Sequence, residues 1–509
     1  MEARPMDFSA RWMPWLLGAA AAAILFFATQ PFGIGVTSDC VDYFSTAANL
    51  ASGEGFLQHD GNPYASWPPL YPMLLAAGLK VGLSCEITAL LINLLSVGLL
   101  LFFLSRWMFI NLQHRFVAHW ASLVILLHFA LLDVALHAWT EPIFNLLVMV
   151  FLLRLPFVAK RKSWGALVWL AILAAAIWSL RYVGITVVAV GGIFILLSGE
   201  LTWPRRLRRT VVFGMIAALP TLVWLIRNLQ VMGQVAGERS PSSFGLFQNL
   251  RFTVKHLAWW ILHESWGPVI PSLLLAVLLS ILLYIRWSRR KTETHARILT
   301  VLECFIALNL AFLIYTSSRY AFEAIHSRYI LPVFLPLLLW VALLIDRLFD
   351  GWKRRLWPTL TAVLMIAWLI WPAAQSLARI MRARHIGIDT FSALDYQGWA
   401  LWNWLEGSPE EAIYISNGAD AVHYHTGLPV RLAPRRWIHS TSRTETTELS
   451  DFAAIFEEDR PVFYIWISDF PRTGARMNYH SLEELLELYR LEPIVAFPES
   501  AVFMVMPRK

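Results

Sequence analysis

The chain has 509 residues, of which 57% are hydrophobic and 15% are charged, and its formal net charge is +7. A soluble globular domain has about 45–50% apolar and about 25% charged residues, so this composition excludes an entirely water-soluble protein and indicates a membrane protein. The basic residues form short clusters between apolar runs, as loop charges do, which excludes a nucleic-acid-binding protein.

Apolar runs of about 20 residues are long enough to cross a bilayer, and the sequence contains about eleven of them. The run from Trp15 to Val36 is too long for a signal peptide, so it is interpreted as a membrane anchor. The predicted spans lie near residues 13–36, 86–108, 117–136, 141–159, 164–181, 183–199, 210–227, 268–286, 298–316, 329–347 and 356–376.

The basic clusters predict the orientation of these spans. They all fall on one side of the membrane if the N-terminus is cytoplasmic, and the positive-inside rule then places the C-terminus outside. The protein is therefore expected in the inner (plasma) membrane, with long outer segments at 37–85, 228–267 and 385–509. The clusters are Arg4 with Arg11, Arg106 with Arg115, Lys160–Lys162, Arg205–Arg209, Arg286–Lys291 and Lys353–Arg355.

The segment 385–509 alternates short buried strands with amphipathic helices, which predicts a small extracytoplasmic α/β domain after a membrane domain at 1–384. The predicted strands are Ala412–Ser416, Val430–Leu432, Val462–Ile467 and Ile494–Phe497, and the predicted helices are Leu394–Leu405, Leu449–Glu458 and Leu482–Tyr489. The domain contains no Gly-rich phosphate loop, so we expect no nucleotide site there. The fold class is an all-α polytopic membrane protein with this small soluble domain.

The first outer loop, 37–85, holds the most informative residues. Ser38 or Asp39 can cap a short helix, on which Asp39, Asp42 and Tyr43 share one face by their spacing. Residue type alone leaves a second interpretation open, in which Asp39 is only a cap and Asp42 is solvated. The pair Pro68-Pro69 predicts an extended segment.

The loop resembles the GT-C superfamily of membrane glycosyltransferases. The resemblance rests on D-x-x-x-Y at Asp39–Tyr43, then A-x-x-L, G-x-G and W-P-P-L-Y-P. It is strongest to the branch of protein O-mannosyltransferases and lipid A aminoarabinose transferases, which take a sugar from a polyprenyl-phosphate carrier. This resemblance implies that Asp39 is catalytic. Two positions depart from the family pattern, since Cys40 replaces the second acidic residue and Trp67 replaces a basic one.

Further motifs extend the resemblance along the chain, in order: Thr140-Glu141-Pro142, Arg181-Tyr182, Arg227-Asn228 and Ser327–Pro332. Arg328 and Tyr329 are implied to contact the carrier phosphate, because a guanidinium offers a planar fork of donors to phosphate. Arg181 and Arg227 are further candidates for substrate binding. The alternative for each arginine is an interfacial anchor.

The implied reaction is inverting glycosyl transfer at the outer face, with Asp39 as general base and with Asp42 and Tyr43 at the substrate site. The acceptor would be a lipid, a glycan or a protein. A divalent metal held by Asp42 with His326, Glu323, His263 or Glu264 is left open, as is a Cys40–Cys85 disulfide. The rival hypotheses are a transporter or lipid flippase, and a non-catalytic relative that binds the carrier.

Overall fold

The computed structural model describes residues 8–160, 162–237, 239–288, 296–350, 356–388, 390–409, 411–436, 460–468 and 479–507. Within these ranges the chain forms α-helices along its first three quarters and a five-stranded sheet near its end. The helices are α1 Phe8–Thr29, α2 Ser38–Ser52, α3 Leu70–Lys80, α4 Cys85–Asn111, α5 Arg115–Leu127, α6 Phe129–Ala135, α7 Glu141–Lys160, α8 Trp164–Leu180, α9 Ile185–Leu196, α10 Trp203–Met232, α11 Leu246–Trp259, α12 Val269–Ser288, α13 Ala296–Arg319, α14 Ser327–Ile330, α15 Phe334–Asp350, α16 Leu356–Ile386, α17 Ala400–Glu406, α18 Ala419–Thr426 and α19 Leu482–Leu488.

Each predicted span coincides with an apolar helix or with two helices separated by a short break. Among the described residues, eight helices are long and apolar enough to cross a membrane, and a ninth is added if α5 and α6, which meet at 42°, form one bent span. The other two predicted spans fall on the shorter apolar helices Trp164–Leu180 and Tyr182–Leu196. The predicted multi-pass helical architecture is therefore confirmed.

Two details of the predicted membrane domain are wrong. The first span was expected to reach residue 36, but α1 ends at Thr29, just before Pro31 and Gly33, whose φ is +75°. The extended conformation expected for Pro68-Pro69 is also wrong at Pro69. This residue has φ −84° and ψ −15° and directly precedes α3. Proline is well placed at a helix start because its fixed φ is helical and its missing N–H would have no helical partner there.

The C-terminal strands form one mixed sheet of order β2-β1-β3-β5-β4. Strand β1 pairs in parallel with β2 and β3, whereas β5 pairs antiparallel with β3 and β4. The strands are β1 Ile413–Ser416, β2 Val430–Leu432, β3 Val462–Ile467, β4 Tyr489–Ala496 and β5 Ser500–Pro507. Buried side chains on both faces of the sheet form two separate apolar clusters.

The predicted α/β pattern of this region is confirmed with corrections. The expected helix Leu394–Leu405 is broken before α17, because Gly398 adopts a φ of +75°. The expected strand Ile494–Phe497 overlaps the end of the longer β4, while α18 and β5 had not been predicted. Leu449–Glu458 lies outside the described residues, as do Arg4, Arg161, Arg289–Lys291 and Lys353–Arg355. The orientation that rests on these basic clusters stays a prediction.

The first loop, 37–85, is held between the helical bundle and the C-terminal region. The backbone N–H of Phe391 donates to the carbonyl of Val36, and Gly35 forms a β-bridge with His137. Cys40 and Cys85 are both buried and both free, so the disulfide that had been left open is not formed. These contacts fix the start of α2, which carries Asp39.

Candidate active site

Asp39 and Arg328 form an ion pair at the start of α2. Helix α2 begins at Ser38 after the N-cap residue Thr37, so Asp39 lies in the first turn and is not the cap. Its Oδ2 atom accepts a hydrogen bond from Nη2 of Arg328 at 2.9 Å. The structure thus brings together the predicted base and the predicted phosphate ligand, which are 289 positions apart in the chain.

Glu141 joins this pair to a second arginine. Its Oε1 atom lies 2.6 Å from Nε of Arg328 and 2.6 Å from Nη1 of Arg181, and its side chain is fully buried. Arg181 Nη1 also donates to Oγ1 of Thr140 at 2.9 Å. Two carboxylates and two guanidinium groups therefore form one network whose formal charges cancel. We call this set, Asp39, Glu141, Arg181 and Arg328, the charge network.

Glu141 belongs to the Thr140-Glu141-Pro142 motif but is not among the predicted site residues. The sequence contained a signal for a buried ion pair, because Glu141 begins a predicted span on the same side of the membrane as Arg328. An acid at such a position needs a cationic partner if it is buried. The two arginines are those partners.

The aromatic ring of Trp139 packs against the guanidinium group of Arg328. The guanidinium carbon of Arg328 lies 3.7 Å from the ring centroid of Trp139, whose Nε1 donates to Thr37 Oγ1 at 3.0 Å. The Trp139 ring stacks in turn on His137, with centroids 4.0 Å apart and planes 8° from parallel. Burial lowers the pKa of His137 to about 4, so this imidazole is neutral at pH 7. A neutral His137 ring therefore adds no charge repulsion against the guanidinium group of Arg328.

Two other arginines bind the backbone of the first loop. Arg227 donates from Nη1 to the carbonyl of Tyr64 at 2.7 Å and from Nη2 to that of Phe56 at 3.2 Å. Arg239, which the sequence analysis did not identify, donates to the carbonyl of Ser66 at 3.1 Å. Carbonyl oxygens are neutral, so these contacts leave both positive charges uncancelled within the part of the chain that the structure describes. Burial lowers the pKa of Arg239, which makes an anionic ligand there more favourable.

Tyr43 lies in an aromatic cluster. It is 2% exposed, and its ring contacts those of Tyr64, Trp67 and Tyr71 edge-on at centroid distances of 6.5, 5.8 and 5.2 Å. Such edge-to-face pairs stabilise packing. Tyr43 thus holds the loop together, and its predicted contact with substrate stays a prediction.

Asp42 is half-buried and lies near Asp420 on α18. Burial, and then the charge of Asp420 on α18, raise the pKa of Asp42 well above its usual range. Burial opposes ionisation of Asp420 too, but hydrogen bonds from His59 and Ser38 lower the pKa of Asp420. These opposite shifts favour Asp420 as the charged member of the pair and Asp42 as the protonated one. The predicted role of Asp42 stays a prediction.

His59 links the first loop to α18. Its Nε2 lies 3.2 Å from Oδ1 of Asp420, and its ring stacks on His423 at 4.7 Å. We call this set, Asp42, His59, Asp420 and His423, the domain junction.

The side chains considered as ligands for a divalent metal do not form a common site among the described residues. Within the described residues no group of three or more His, Cys, Asp or Glu side chains is arranged to hold a metal ion. His326 pairs with Glu323 at 3.3 Å, and His263 bonds to Ser265. Asp42 lies at the domain junction instead.

The search of family models and the search of curated proteins found no match. Among solved structures, ArnT from Cupriavidus metallidurans in the apo state is similar, with a TM-score of 0.60, 12% identity and 98% of each chain covered. The same protein bound to undecaprenyl phosphate gives 0.60, 13% and the same coverage. The arabinofuranosyltransferase AftD from Mycobacteria gives 0.56 and 15%, over 99% of this chain and 42% of AftD. The chain thus has the GT-C fold that its first loop predicted.

Proposed function

We propose that the protein is a membrane glycosyltransferase that moves a sugar from a polyprenyl-phosphate donor to an acceptor hydroxyl or amine. The observation that carries the proposal is the Asp39–Arg328 pair at the first outer loop of a GT-C fold. A proton acceptor and a phosphate ligand must lie side by side if one site is to activate the acceptor and stabilise the leaving group. ArnT, which has the same fold, binds undecaprenyl phosphate.

Asp39 is the general base in this proposal. Its bond to Arg328 uses Oδ2, and its side chain is 29% exposed, which leaves Oδ1 to accept a proton. The acceptor proton moves to Asp39 while the acceptor oxygen or nitrogen attacks the anomeric carbon. The bond from that carbon to the phosphate oxygen breaks, and its electron pair stays on the phosphate. Attack from the face opposite the phosphate inverts the configuration.

The arginines bind and stabilise the departing phosphate. A guanidinium has five N–H donors, and the two carboxylates occupy Nε and Nη2 of Arg328, so further donors remain for phosphate oxygens. The charge network is neutral and by itself does not attract an anion. The uncancelled charges of Arg227 and Arg239 supply that attraction. Tyr329, next to Arg328, adds a phenol at the same site.

The site lies at the extracytoplasmic face of the inner membrane in this proposal, as the positive-inside rule predicts. A lipid-linked donor presents its sugar at the headgroup level, where the first loop meets the bundle. The charge network is compatible with transfer of either a hexose or a pentose. A lipid, a glycan or a protein can serve as the acceptor in this proposal.

The test is turnover by purified protein in liposomes. Polyprenyl-phosphate hexoses and pentoses are supplied with a membrane extract as acceptor source, and release of polyprenyl phosphate is measured beside the Asp39→Asn variant. Release by the native chain and not by the variant supports the proposal. Donor binding without release identifies a non-catalytic carrier-binding protein. Movement of the intact donor across the bilayer without release identifies a flippase.

A further inference from the structure

A groove opens on the outside of the bundle between α7 and α8, away from the charge network. It has a volume of about 650 Å³ and is lined mostly by apolar side chains, with Arg154 as the one cation among the described lining residues. Trp169 is 74% exposed and Phe157 is 56% exposed. Apolar side chains exposed on membrane helices face lipid chains, and a volume of this size is in the range of about 300–1,000 Å³ that holds small ligands.

Arg154 lies near the end of α7 that is remote from Asp39. Helix α7 begins at Glu141, in the charge network, and ends at Lys160. At 1.5 Å per residue, Arg154 is about 20 Å from Glu141 and about 9 Å from Lys160 along the axis. A long arginine side chain spans the remaining distance to the headgroups of that leaflet. Arg154 is therefore within reach of the headgroups of that leaflet, on the wall of an apolar groove.

Among the described residues, Arg154 and Arg209 have no acidic partner, whereas Lys160 has one. Arg154 forms no ion pair within the described part of the chain. Arg209 is 2% exposed and donates to the carbonyl of Val158, which lines the groove, at 3.0 Å. Its Nε is buried, and among the described residues it has no hydrogen-bond partner. Glu200, at the same end of the bundle, is already paired with Lys160 at 3.4 Å.

We propose that this groove binds an anionic diacyl phospholipid. One acyl chain lies along Phe157 and Trp169, and the phosphate contacts Arg154. Charge complementarity selects the occupant, because positive charge without acidic partners beside an apolar groove favours an anionic headgroup over a zwitterionic one. This site is independent of the proposed glycosyl transfer, since it lies in the opposite leaflet from Asp39.

Delipidated protein in detergent is incubated with equal amounts of phosphatidylglycerol and phosphatidylcholine carrying the same acyl chains, and retained lipid is counted by native mass spectrometry. We expect phosphatidylglycerol to be retained selectively. Arg154→Gln should weaken this retention about fivefold, the equivalent of about 1 kcal/mol for one basic side chain near anionic lipid. Arg106→Gln is the matched control, because Arg106 lies five residues before the end of α4, outside the groove lining.

A second measurement locates the lipid. Phosphatidylglycerol with a photoreactive acyl chain should crosslink to peptides within residues 147–176, and Trp169→Ala should reduce the crosslink while leaving every charge in place. Unchanged melting temperatures establish that both variants fold. Equal phosphatidylglycerol retention by native and Arg154→Gln protein overturns the proposal. Crosslinks confined to other helices, or displacement of the lipid by undecaprenyl phosphate, also overturn it.

Discussion

Nη2 of Arg328 lies 2.9 Å from Oδ2 of Asp39, so the proposed base and the proposed phosphate ligand are bonded to each other before any substrate arrives. The same guanidinium is tied to Glu141 and lies on Trp139, which fixes its position. A phosphate that binds Arg328 therefore uses the N–H donors that Asp39 and Glu141 leave free. One guanidinium then holds both the base and the departing phosphate in the proposed mechanism.

Arg328→Lys should weaken donor binding. Lysine keeps the charge but has no planar fork and no ring-stacking plane, so it cannot bridge Asp39, Glu141 and a phosphate together. Loss of one hydrogen bond to a charged group costs about 1.5–3 kcal/mol, or roughly 10- to 150-fold in affinity. The affinity of purified protein for undecaprenyl phosphate, measured by equilibrium binding in detergent, checks this.

Arg384→Lys is the control for that substitution. Arg384 stacks on Phe27 at 3.9 Å and donates to its backbone carbonyl, away from the charge network. Its replacement should leave donor affinity unchanged. If Arg328→Ala retains native affinity and turnover, Arg328 is an interfacial anchor and not a phosphate ligand.

Glu141→Gln should destabilise the protein strongly. Its carboxylate is fully buried between Arg181 and Arg328, and its removal leaves both guanidinium groups without that counter-charge. Breaking a buried ion pair in this way costs about 3–5 kcal/mol. The melting temperature in detergent, followed by tryptophan fluorescence, should fall clearly. Glu54→Gln, at an exposed position of the same loop, should change it little, and equal effects of the two substitutions would contradict the assigned role of Glu141.

The stability that His137 contributes near Arg328 should decrease at acidic pH. Burial lowers the pKa of His137 from 6.5 to about 4, so the unfolded chain takes up the proton before the folded one. The stability contributed by neutral His137 is complete above pH 6.5 and is lost as the pH falls from 6.5 through 4. Melting temperatures from pH 7.5 to 4.5 should fall less steeply for His137→Asn than for the native chain. Identical slopes would exclude His137 as a source of acid sensitivity.

The domain junction yields a pair of opposite predictions. Asp420→Asn removes the charge that binds His59, so it should loosen the contact between α18 and the first loop. Asp42→Asn replaces a carboxyl whose pKa is raised by burial and by the charge of Asp420, so it should leave that contact intact or strengthen it. Hydrogen exchange of peptides covering 56–64 and 419–428 measures both. Faster exchange in Asp42→Asn than in Asp420→Asn would reverse the assignment of charge.

The sequence predicted the features that depend on local composition. Apolar runs located the spans, and short motifs located Asp39 and Arg328. The partners of these residues depend on long-range folding, as for His59 and Asp420, which are 361 positions apart. Arg239 carries no motif, and its contact with Ser66 is set by the path of the loop between them. Helix α18 is eight residues long, too short for a helical period to stand out.

Asp39→Asn tests the proposed mechanism most directly. The N-cap of α2 is Thr37, so the capping explanation for Asp39 no longer competes with the catalytic one. Asparagine is nearly isosteric, and its Oδ1 can still accept the hydrogen bond from Arg328, but it cannot take a proton from an acceptor. A positioned general base contributes about 100- to 10,000-fold. Turnover should fall by at least about a hundredfold, while affinity for polyprenyl phosphate is largely kept.

Two controls separate this effect from damage to the fold. The melting temperature of Asp39→Asn should fall less than that of Glu141→Gln, because the Asp39 side chain is 29% exposed and Glu141 is fully buried. Asp42→Asn should keep most of its turnover, since burial raises the pKa of Asp42 and so favours its neutral form, and since Asp42 lies at the domain junction. An Asp39→Asn enzyme with native turnover would sink the assignment of the base. Glu54, exposed on the same loop, would then be the next carboxylate to test.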